Sequence, residues 1–217
     1  MSPQNKGENM ASTDKIHQIA RFVHGKILSL QKNPNDSAVR ASLAKMRRGI
    51  GEKPGDQAEL WEMLFEGIPE ELEGCGEEPS TSEWAVYTAL TLFSLHQQGK
   101  DIHQDFMFQE NINLGMGIGR LARKIPDSKT AVIRRFNTMA TSMDLVELSW
   151  HLRGIIQLLK RESIPLDYGN LAKDLYLYQS LQNAPKVRLN WGRNFYRELN
   201  REKQEAAQAQ AENQPPA

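Results

Sequence analysis

Arginine and lysine side chains recur in this sequence at intervals that place them on one side of a helix. Arg120 and Arg123 are three residues apart, and Lys124 follows four residues after Arg120. Side chains at these spacings are neighbours on a helix surface, where like charges repel unless a counter-charge lies among them. Phosphate groups are one such counter-charge. A row of cations that neutralises phosphates binds nucleic acid without reading its bases.

Three further groups of cations share this helical setting. They are Lys45 with Arg47 and Arg48, Arg134 with Arg135, and Arg153 with Lys160 and Arg161. Basic stripes on helices also suit acidic protein partners. The residues alone therefore leave nucleic-acid contact and protein docking both open.

Catalytic chemistry has little support in the sequence. The five histidines lack the spacing of a zinc site. The run Gly115–Gly119 lacks both the G-x-G-x-x-G pattern and a preceding strand. Its glycines instead indicate close approach of a neighbour to the backbone, which a phosphate could use. The glutamates of residues 70–78 lie in a loop rich in glycine and proline, without the rigid support that acid-base catalysis needs. We predict no catalytic residue, metal or cofactor.

The zero net charge of the 217 residues is a sum of opposed segments. Residues 1–51 carry a net charge of +6, residues 52–110 carry −12, residues 111–201 carry +8 and residues 202–217 carry −2. The basic and acidic segments could be complements within one fold. Alternatively, the basic segments meet a polyanion.

Apolar residues recur at helical spacing almost throughout, and no alternating strand pattern is present. We predict an all-α fold of about eight helices in two packed bundles, without a sheet. Four of the predicted helix starts are at about Asp14, after a capping box of Ser80 and Glu83, after an N-cap at Ser142, and at Asp167. Residues 1–112 would form an N-terminal bundle with an acidic loop, residues 113–203 a basic C-terminal bundle, and residues 204–217 a disordered tail. One continuous bundle is the alternative.

Composition indicates an ordinary globular protein, with 39% hydrophobic and 25% charged residues. The single cysteine, Cys75, excludes a disulfide framework and a cysteine-ligated zinc site. No stretch approaches the ~18 apolar residues of a membrane helix. The first fifteen residues lack the apolar centre of a signal peptide, so we expect a cytoplasmic protein.

A series of motifs follows in a set order, from Arg40 and residues 43–51, through residues 85–93 and 117–122, to residues 187–196. In this order they resemble the CasB family, the small subunit of the type I-E CRISPR effector complex Cascade. Arg40, residues 43–51, Pro54-Gly55 and Leu60-Trp61 resemble its N-terminal part, and residues 85–93 with His96-Gln97 resemble its central helix. Residues 117–122 resemble its later glycine-arginine turn, and residues 187–196 its C-terminal helix. The chain has Ala58 where a proline is expected before the Leu-Trp pair.

The resemblance implies a non-catalytic subunit in antiviral defence, present as two copies in the complex. Its implied partners are CasA, the CasC backbone, CasE, guide RNA, target DNA and a second copy of itself. It would hold nucleic-acid backbone and stabilise the R-loop, a near-balanced exchange that modest backbone contacts can tip. Carried over by position, the implied nucleic-acid-binding residues are Arg47, Arg48, Arg120, Arg123, Arg134, Arg135 and Arg153.

Other functions have weaker support. A helical scaffold whose basic stripes dock acidic partners stays open as the alternative. A nuclease would need a metal-binding constellation of carboxylates or histidines, which we do not find in the sequence. A helix-turn-helix regulator would need a short helix pair joined by a tight turn, which is not apparent either.

Overall fold

A computed structural model describes residues 3–201, with side chains from residue 14 onward. The described residues form nine α-helices, three short 3-10 helices and no strand, which confirms the all-α prediction. The α-helices are α1 (Pro3–Lys32), α2 (Asp36–Arg48), α3 (Trp61–Phe65), α4 (Thr81–His96), α5 (Leu114–Lys124), α6 (Lys129–Ala140), α7 (Leu145–Arg161), α8 (Tyr168–Tyr178) and α9 (Ala184–Leu199). The 3-10 helices are Ala58–Leu60, Glu70–Leu72 and Pro126–Ser128.

Helix α4 is the central helix of the fold. A capping box begins it, in which Ser80 Oγ accepts from Glu83 N at 3.1 Å and the Glu83 carboxylate accepts from Ser80 N at 2.6 Å. Every residue from 85 to 97 is buried, as expected for a helix enclosed on all sides. Helices α1, α2, α7 and α8 pack against it. The end of α4 therefore lies where several other helices can supply side chains.

Helices α5 and α9 pack with their backbones almost in contact. A Cβ atom on Gly115 would overlap the main-chain oxygen of Trp191, and one on Gly119 would lie 2.7 Å from the main-chain oxygen of Phe195. Real side chains do not fit at such distances. The glycines thus permit close approach, as the sequence indicates, but α9 occupies the space beside Gly115 and Gly119 that a phosphate would need.

One hydrophobic core runs through the described residues, from Ile19 in α1 to Phe195 in α9. Helix α8 packs against α1 as well as α4. His24 Nε2 in α1 lies 2.7 Å from Oδ1 of Asp167, the residue that caps α8. These contacts cross the predicted boundary between residues 112 and 113, and the division into two bundles stays a prediction.

The loop before α5 is fastened to the segment before α8. Phe108 and Leu166 form an isolated parallel bridge, in which Gln109 N donates to Leu166 O at 3.1 Å and Leu166 N donates to Met107 O at 3.3 Å. The Asp167 side chain continues the connection by accepting from Asn111 N at 2.9 Å. This connection positions the entry to α5.

Helix α7 does not begin at the residue that the sequence suggests. Ser142 is a natural N-cap residue, yet the helix starts at Leu145 after Asp144, whose side chain accepts from Glu147 N at 2.8 Å. Ser142 is buried instead, and its carbonyl accepts from Tyr178 Oη at 2.8 Å. The Ser142 hydroxyl donates to Met139 O at 2.9 Å, so Ser142 belongs to the turn after α6 and does not cap α7.

The prediction for the N-terminal helix can be compared with the structure, whereas the prediction for the C-terminal tail cannot. Helix α1 begins at Pro3, before the predicted start at Asp14, because the apolar stripe that marks the helix begins only at Ile16. The predicted tail, residues 204–217, lies outside the described residues. Within the described range, no helix is long and apolar enough to cross a membrane.

Candidate nucleic-acid interface

The C-terminal end of α2 holds one predicted arginine in a partly buried position. Leu43 and Met46 face the core, so the following residue, Arg47, lies at the edge of that face. Arg47 Nη1 donates to the carbonyl oxygen of Ser94 in α4 at 3.5 Å. Burial lowers the pKa of the Arg47 guanidinium. The side chain is thus held against α4.

Two lysines lie near Arg47. Lys160 is in the last turn of α7, and Lys100 follows α4 in the loop. Lys160 Nζ donates to Gln98 Oε1 at 3.2 Å, and Lys100 Nζ donates to Ser163 Oγ at 2.7 Å. Burial lowers the pKa of Lys160, and the charges of Arg47 and Lys100 lower it further. We name Arg47, Lys100 and Lys160 the cationic cluster.

The cationic cluster has no negative partner in the part of the chain from residue 14 to 201. All of its recorded bonds are to neutral oxygens, those of Ser94, Gln98 and Ser163. Three positive charges on three different elements therefore repel one another in a partly buried place. A bound anion would relieve that repulsion, and a phosphate is the anion that this arrangement suits.

Arg48 is adjacent to Arg47 in sequence but has a different environment. Its Nη1 lies 3.0 Å from Glu59 Oε1, and both side chains are largely open to solvent. An exposed pair of this kind contributes little to stability and can exchange its partner. Arg48 remains a predicted phosphate contact, in competition with Glu59.

Arg120 and Arg123 meet at one carboxylate. Arg120 Nε lies 3.3 Å and Arg123 Nη2 3.1 Å from Glu198 Oε1. Only 6% of the Glu198 side chain is exposed, whereas about a quarter of each arginine side chain is. The two arginines thus connect α5 to α9. Glu198 supplies the counter-charge for which the sequence suggests only phosphate or the acidic segment, residues 52–110.

The three remaining predicted arginines are exposed to solvent. Arg134 and Arg135 are on α6 and Arg153 is on α7, and these two helices pack against each other. Among the described side chains, none forms an ion pair with these three arginines. Their guanidinium groups are available for phosphate contact, and their role stays a prediction.

The buried histidines have structural partners. His96 is fully buried, its Nδ1 lies 2.9 Å from Tyr168 Oη, and burial lowers its pKa to about 3. His24 pairs with Asp167. No group of three His, Cys, Asp or Glu side chains that could hold a metal ion occurs among the residues described.

Comparison with known proteins identifies the family. Residues 42–196 match the sequence profile of the CRISPR-associated protein Cse2. This match covers more than half of the chain. The chain belongs to the Cse2 (CasB) family. No curated protein sequence is significantly similar to it.

Solved structures share the fold of this Cse2 family member. CasB from Thermobifida fusca is 30% identical, with a TM-score of 0.60 over 85% of this chain and 97% of that one. A chain of a CRISPR RNA-guided surveillance complex gives 0.65 at 20% identity, over 87% and 99%. CasB from M. ruber gives 0.62 at 20% identity, over 84% and 97%.

Two members of the cationic cluster, Lys100 and Lys160, are not among the seven arginines predicted from the sequence of this Cse2 family member. Lys100 lies in the segment with a net charge of −12, so segment charge conceals it. Lys160 belongs to a recognised basic group but had no distinguishing feature. Position is the useful signal, because Lys160 lies in the last turn of α7 and Lys100 lies in the loop just after α4, and these two helices pack together.

Proposed function

We propose that this chain is the non-catalytic small subunit of a type I-E Cascade complex, where it holds the sugar-phosphate backbone of guide RNA and target DNA and stabilises the R-loop. Membership of the Cse2 family supports the assignment to Cascade. The likeness to a chain of an RNA-guided surveillance complex is consistent with it. Its partners would be CasA, the CasC backbone, CasE and a second copy of this chain.

The observation that carries the nucleic-acid role is the cationic cluster. Its three charges come from α2, the loop after α4 and the end of α7, and among the described residues no carboxylate forms an ion pair with them. Each phosphate that such cations neutralise releases condensed counterions, so binding is strong at low salt and independent of sequence. Within an R-loop, base pairing already reads the sequence.

The exposed arginines Arg134, Arg135 and Arg153 would extend the contact with the strand. Arg120 and Arg123 are paired with Glu198, and about a quarter of each side chain is exposed to solvent. They would contact the strand only through this exposed part. Arg48 would do so after release from Glu59. We therefore rank the cationic cluster first, the exposed arginines second and the paired arginines last.

The test is the salt dependence of binding to single-stranded oligonucleotides of unrelated sequence. Lys100→Ala and Lys160→Ala should each weaken binding similarly for every sequence and reduce the slope of log K against log salt by roughly 0.7 to 1. Lys186→Ala is the matched control, because Lys186 is an exposed lysine on α9 that bonds to Asn183 of its own helix start. It should leave the slope nearly unchanged.

Two outcomes would contradict the proposal. If the affinity for oligonucleotides does not change with salt concentration, contact with phosphate groups is not the basis of binding. Magnesium-dependent cleavage by the pure protein, abolished by one substitution, would show an enzyme. Co-purification of the chain with guide RNA and other Cascade proteins would support the assembly part independently.

A helical scaffold is the second candidate function. Met143, Val146 and Trp150 are 88%, 51% and 61% exposed, and the latter two lie on one side of α7. Exposed apolar side chains at this spacing are typical of protein contacts. Under this alternative, the purified chain would assemble with protein partners but would not bind nucleic acid. The Lys100→Ala variant would then assemble as the wild type does.

A further inference from the structure

A cleft beside the cationic cluster has an apolar floor and a cationic rim. It lies between α2 and the loop after α4 and encloses about 370 Å³. Val39, Leu43 and Ile102 form the floor, and Arg40, Arg47 and Lys100 are on the rim. The volume is within the range of ~300 to 1,000 Å³ that small-molecule sites occupy.

The charges around this cleft favour an anion. Two carboxylates, Asp36 and Asp101, also line it, so the lining carries a net charge of +1 from three cations and two carboxylates. Asp36 Oδ1 lies 3.2 Å from His103 Nε2, and Asp101 Oδ1 accepts from His103 N at 2.8 Å. The rim cations have no such partner among the described side chains, and Lys160 stands just beside them.

We propose that this cleft accepts one unstacked nucleotide of the bound strand, with its base on the floor of Val39, Leu43 and Ile102 and its phosphate on Arg40, Arg47 and Lys100. The inference rests on the proposed function, since it names the part of the strand that the cationic cluster holds. It adds a contact to the base, which the backbone contact does not require.

A nucleotide suits this cleft better than its separate components. A free phosphate or a sugar phosphate would contact the three cations but bury no apolar surface on the floor. An apolar ligand would contact the floor but leave the three cations without a counter-charge. A nucleotide joins a flat, largely apolar ring to a phosphate through a short sugar. The floor itself has no hydrogen-bonding side chain. Gln97 and Gln98 also line the cleft, and their amides already bond to Lys100 O and Lys160 Nζ respectively, so we expect little selection among bases.

The experiment uses the full chain with methyl-labelled isoleucine, leucine and valine, observed by NMR. Titration with AMP should shift the methyl signals of Val39, Leu43 and Ile102 together. Titration with ribose 5-phosphate, which lacks the base, should leave those methyl signals in place. It should bind roughly tenfold more weakly, because it buries no apolar ring against the aliphatic floor. No substitution is needed for this measurement, so a folding defect cannot obscure it.

A variant with a larger side chain in the floor allows a second, independent test, in which the affinity for AMP is measured. Val39→Phe places a ring in the floor and should reduce AMP affinity to that of ribose 5-phosphate, with binding of ribose 5-phosphate unchanged. Ala41→Phe is the matched control, because Ala41 is exposed on α2 and does not line the cleft. It should bind AMP as the wild type does.

The two proposals fail in different ways. Unmoved floor methyls, together with equal binding of AMP and ribose 5-phosphate, would overturn the nucleotide cleft even if oligonucleotides bind with a normal salt slope. Shifted floor methyls support it even if oligonucleotide binding proves insensitive to salt, which would count against the proposed function alone.

Discussion

Glu198 determines how two of the seven predicted arginines are used. Because it is almost fully buried and bonds to both Arg120 and Arg123, loss of either arginine leaves part of its charge without a partner. We expect Arg120→Ala and Arg123→Ala each to lower the free energy of unfolding by ~1 to 3 kcal/mol, as measured by urea denaturation. Partial exposure of the arginines keeps the value in the lower half of that range.

The exposed arginines provide the contrast for this measurement. Arg134→Ala and Arg135→Ala change surface residues without an ion pair in the described structure, so their unfolding free energies should stay within ~0.5 kcal/mol of wild type. Equal stability of all four variants would mean that Glu198 is not a structural counter-charge, and would raise Arg120 and Arg123 above the last rank of phosphate contacts.

Asp174 should give the protein a pH-dependent stability. It is buried and accepts from Trp191 Nε1 at 2.6 Å, and burial raises the pKa of its carboxyl to about 6. A carboxyl whose pKa is higher in the folded than in the unfolded chain destabilises the folded state when ionised. This destabilisation is therefore present above about pH 6 and disappears as the pH falls toward the ordinary value of 3.8.

The variant Asp174→Asn isolates this effect, because its amide oxygen can still accept from Trp191. Relative to wild type, its unfolding free energy should rise by about 2 to 3 kcal/mol between about pH 4.5 and pH 7.5. His96 acts in the opposite direction, since its lowered pKa makes the folded state lose stability as the pH falls below 6.5. Both proteins share His96, so the difference between them reports Asp174. A difference that does not vary with pH would contradict this assignment.

Single residues show where sequence reasoning reaches its limit. Arg47 and Arg48 are neighbours of the same type, yet one bonds to a main-chain oxygen of α4 and the other to Glu59. The sequence predicts that this region is cationic. Whether an arginine forms an ion pair depends on which residues folding brings near it. The spacing of residues along the chain does not show this.

Among the elements, the pair α5 and α9 depends most directly on residue size. Gly115→Ala and Gly119→Ala would each force the two helix backbones apart, because the added Cβ meets main-chain atoms that cannot rotate away. We expect each substitution to lower the free energy of unfolding by ~1 to 3 kcal/mol, measured by chemical denaturation.

Two other helical glycines serve as matched controls. A Cβ on Gly154 in α7 or Gly192 in α9 would meet nothing within 4 Å. Alanine there should instead stabilise the protein by ~0.5 to 1 kcal/mol, because it restricts the unfolded chain. Destabilisation of the same size at all four positions would show that helix propensity, rather than the approach of α9, explains the result.

Helix prediction succeeded where the determinants are local. The capping box at Ser80 and Glu83 and the N-cap at Asp167 are complete within four residues of sequence, and both helices begin there. The predicted start of α7 is wrong because the Ser142 hydroxyl donates to Met139 O in the turn after α6, while the distant residues Tyr178 and Arg188 hold its carbonyl. Local chemistry is readable from sequence, and competition from distant residues is not.

At the level of the whole molecule, the order of motifs predicted the family, while spatial arrangement stayed open. Residues 43–51, 85–93 and 187–196 are individually weak signals, yet their order in an all-helical chain is specific. The cationic cluster combines residues from three distant parts of the chain. No single motif contains it, which explains why Lys100 was missed.

The continuous core leads to a prediction about the two halves. Because α8 supplies core side chains to α1 and α4, residues 1–112 without α8 would expose a large apolar surface. We expect that neither residues 1–112 nor residues 113–203 alone shows a cooperative thermal transition by circular dichroism, and that mixing them restores one. A cooperative transition in each fragment alone would instead establish two independent bundles.

The bridge between Phe108 and Leu166 bears on where foreign groups can be attached. An epitope inserted into residues 106–112 would have to break main-chain bonds to the segment before α8, and it would disturb the entry to α5. Cys75 offers a better place, because it is exposed and is the sole thiol of the sequence. A maleimide dye should react there at one defined point, so fluorescence could follow assembly without mutation of the chain.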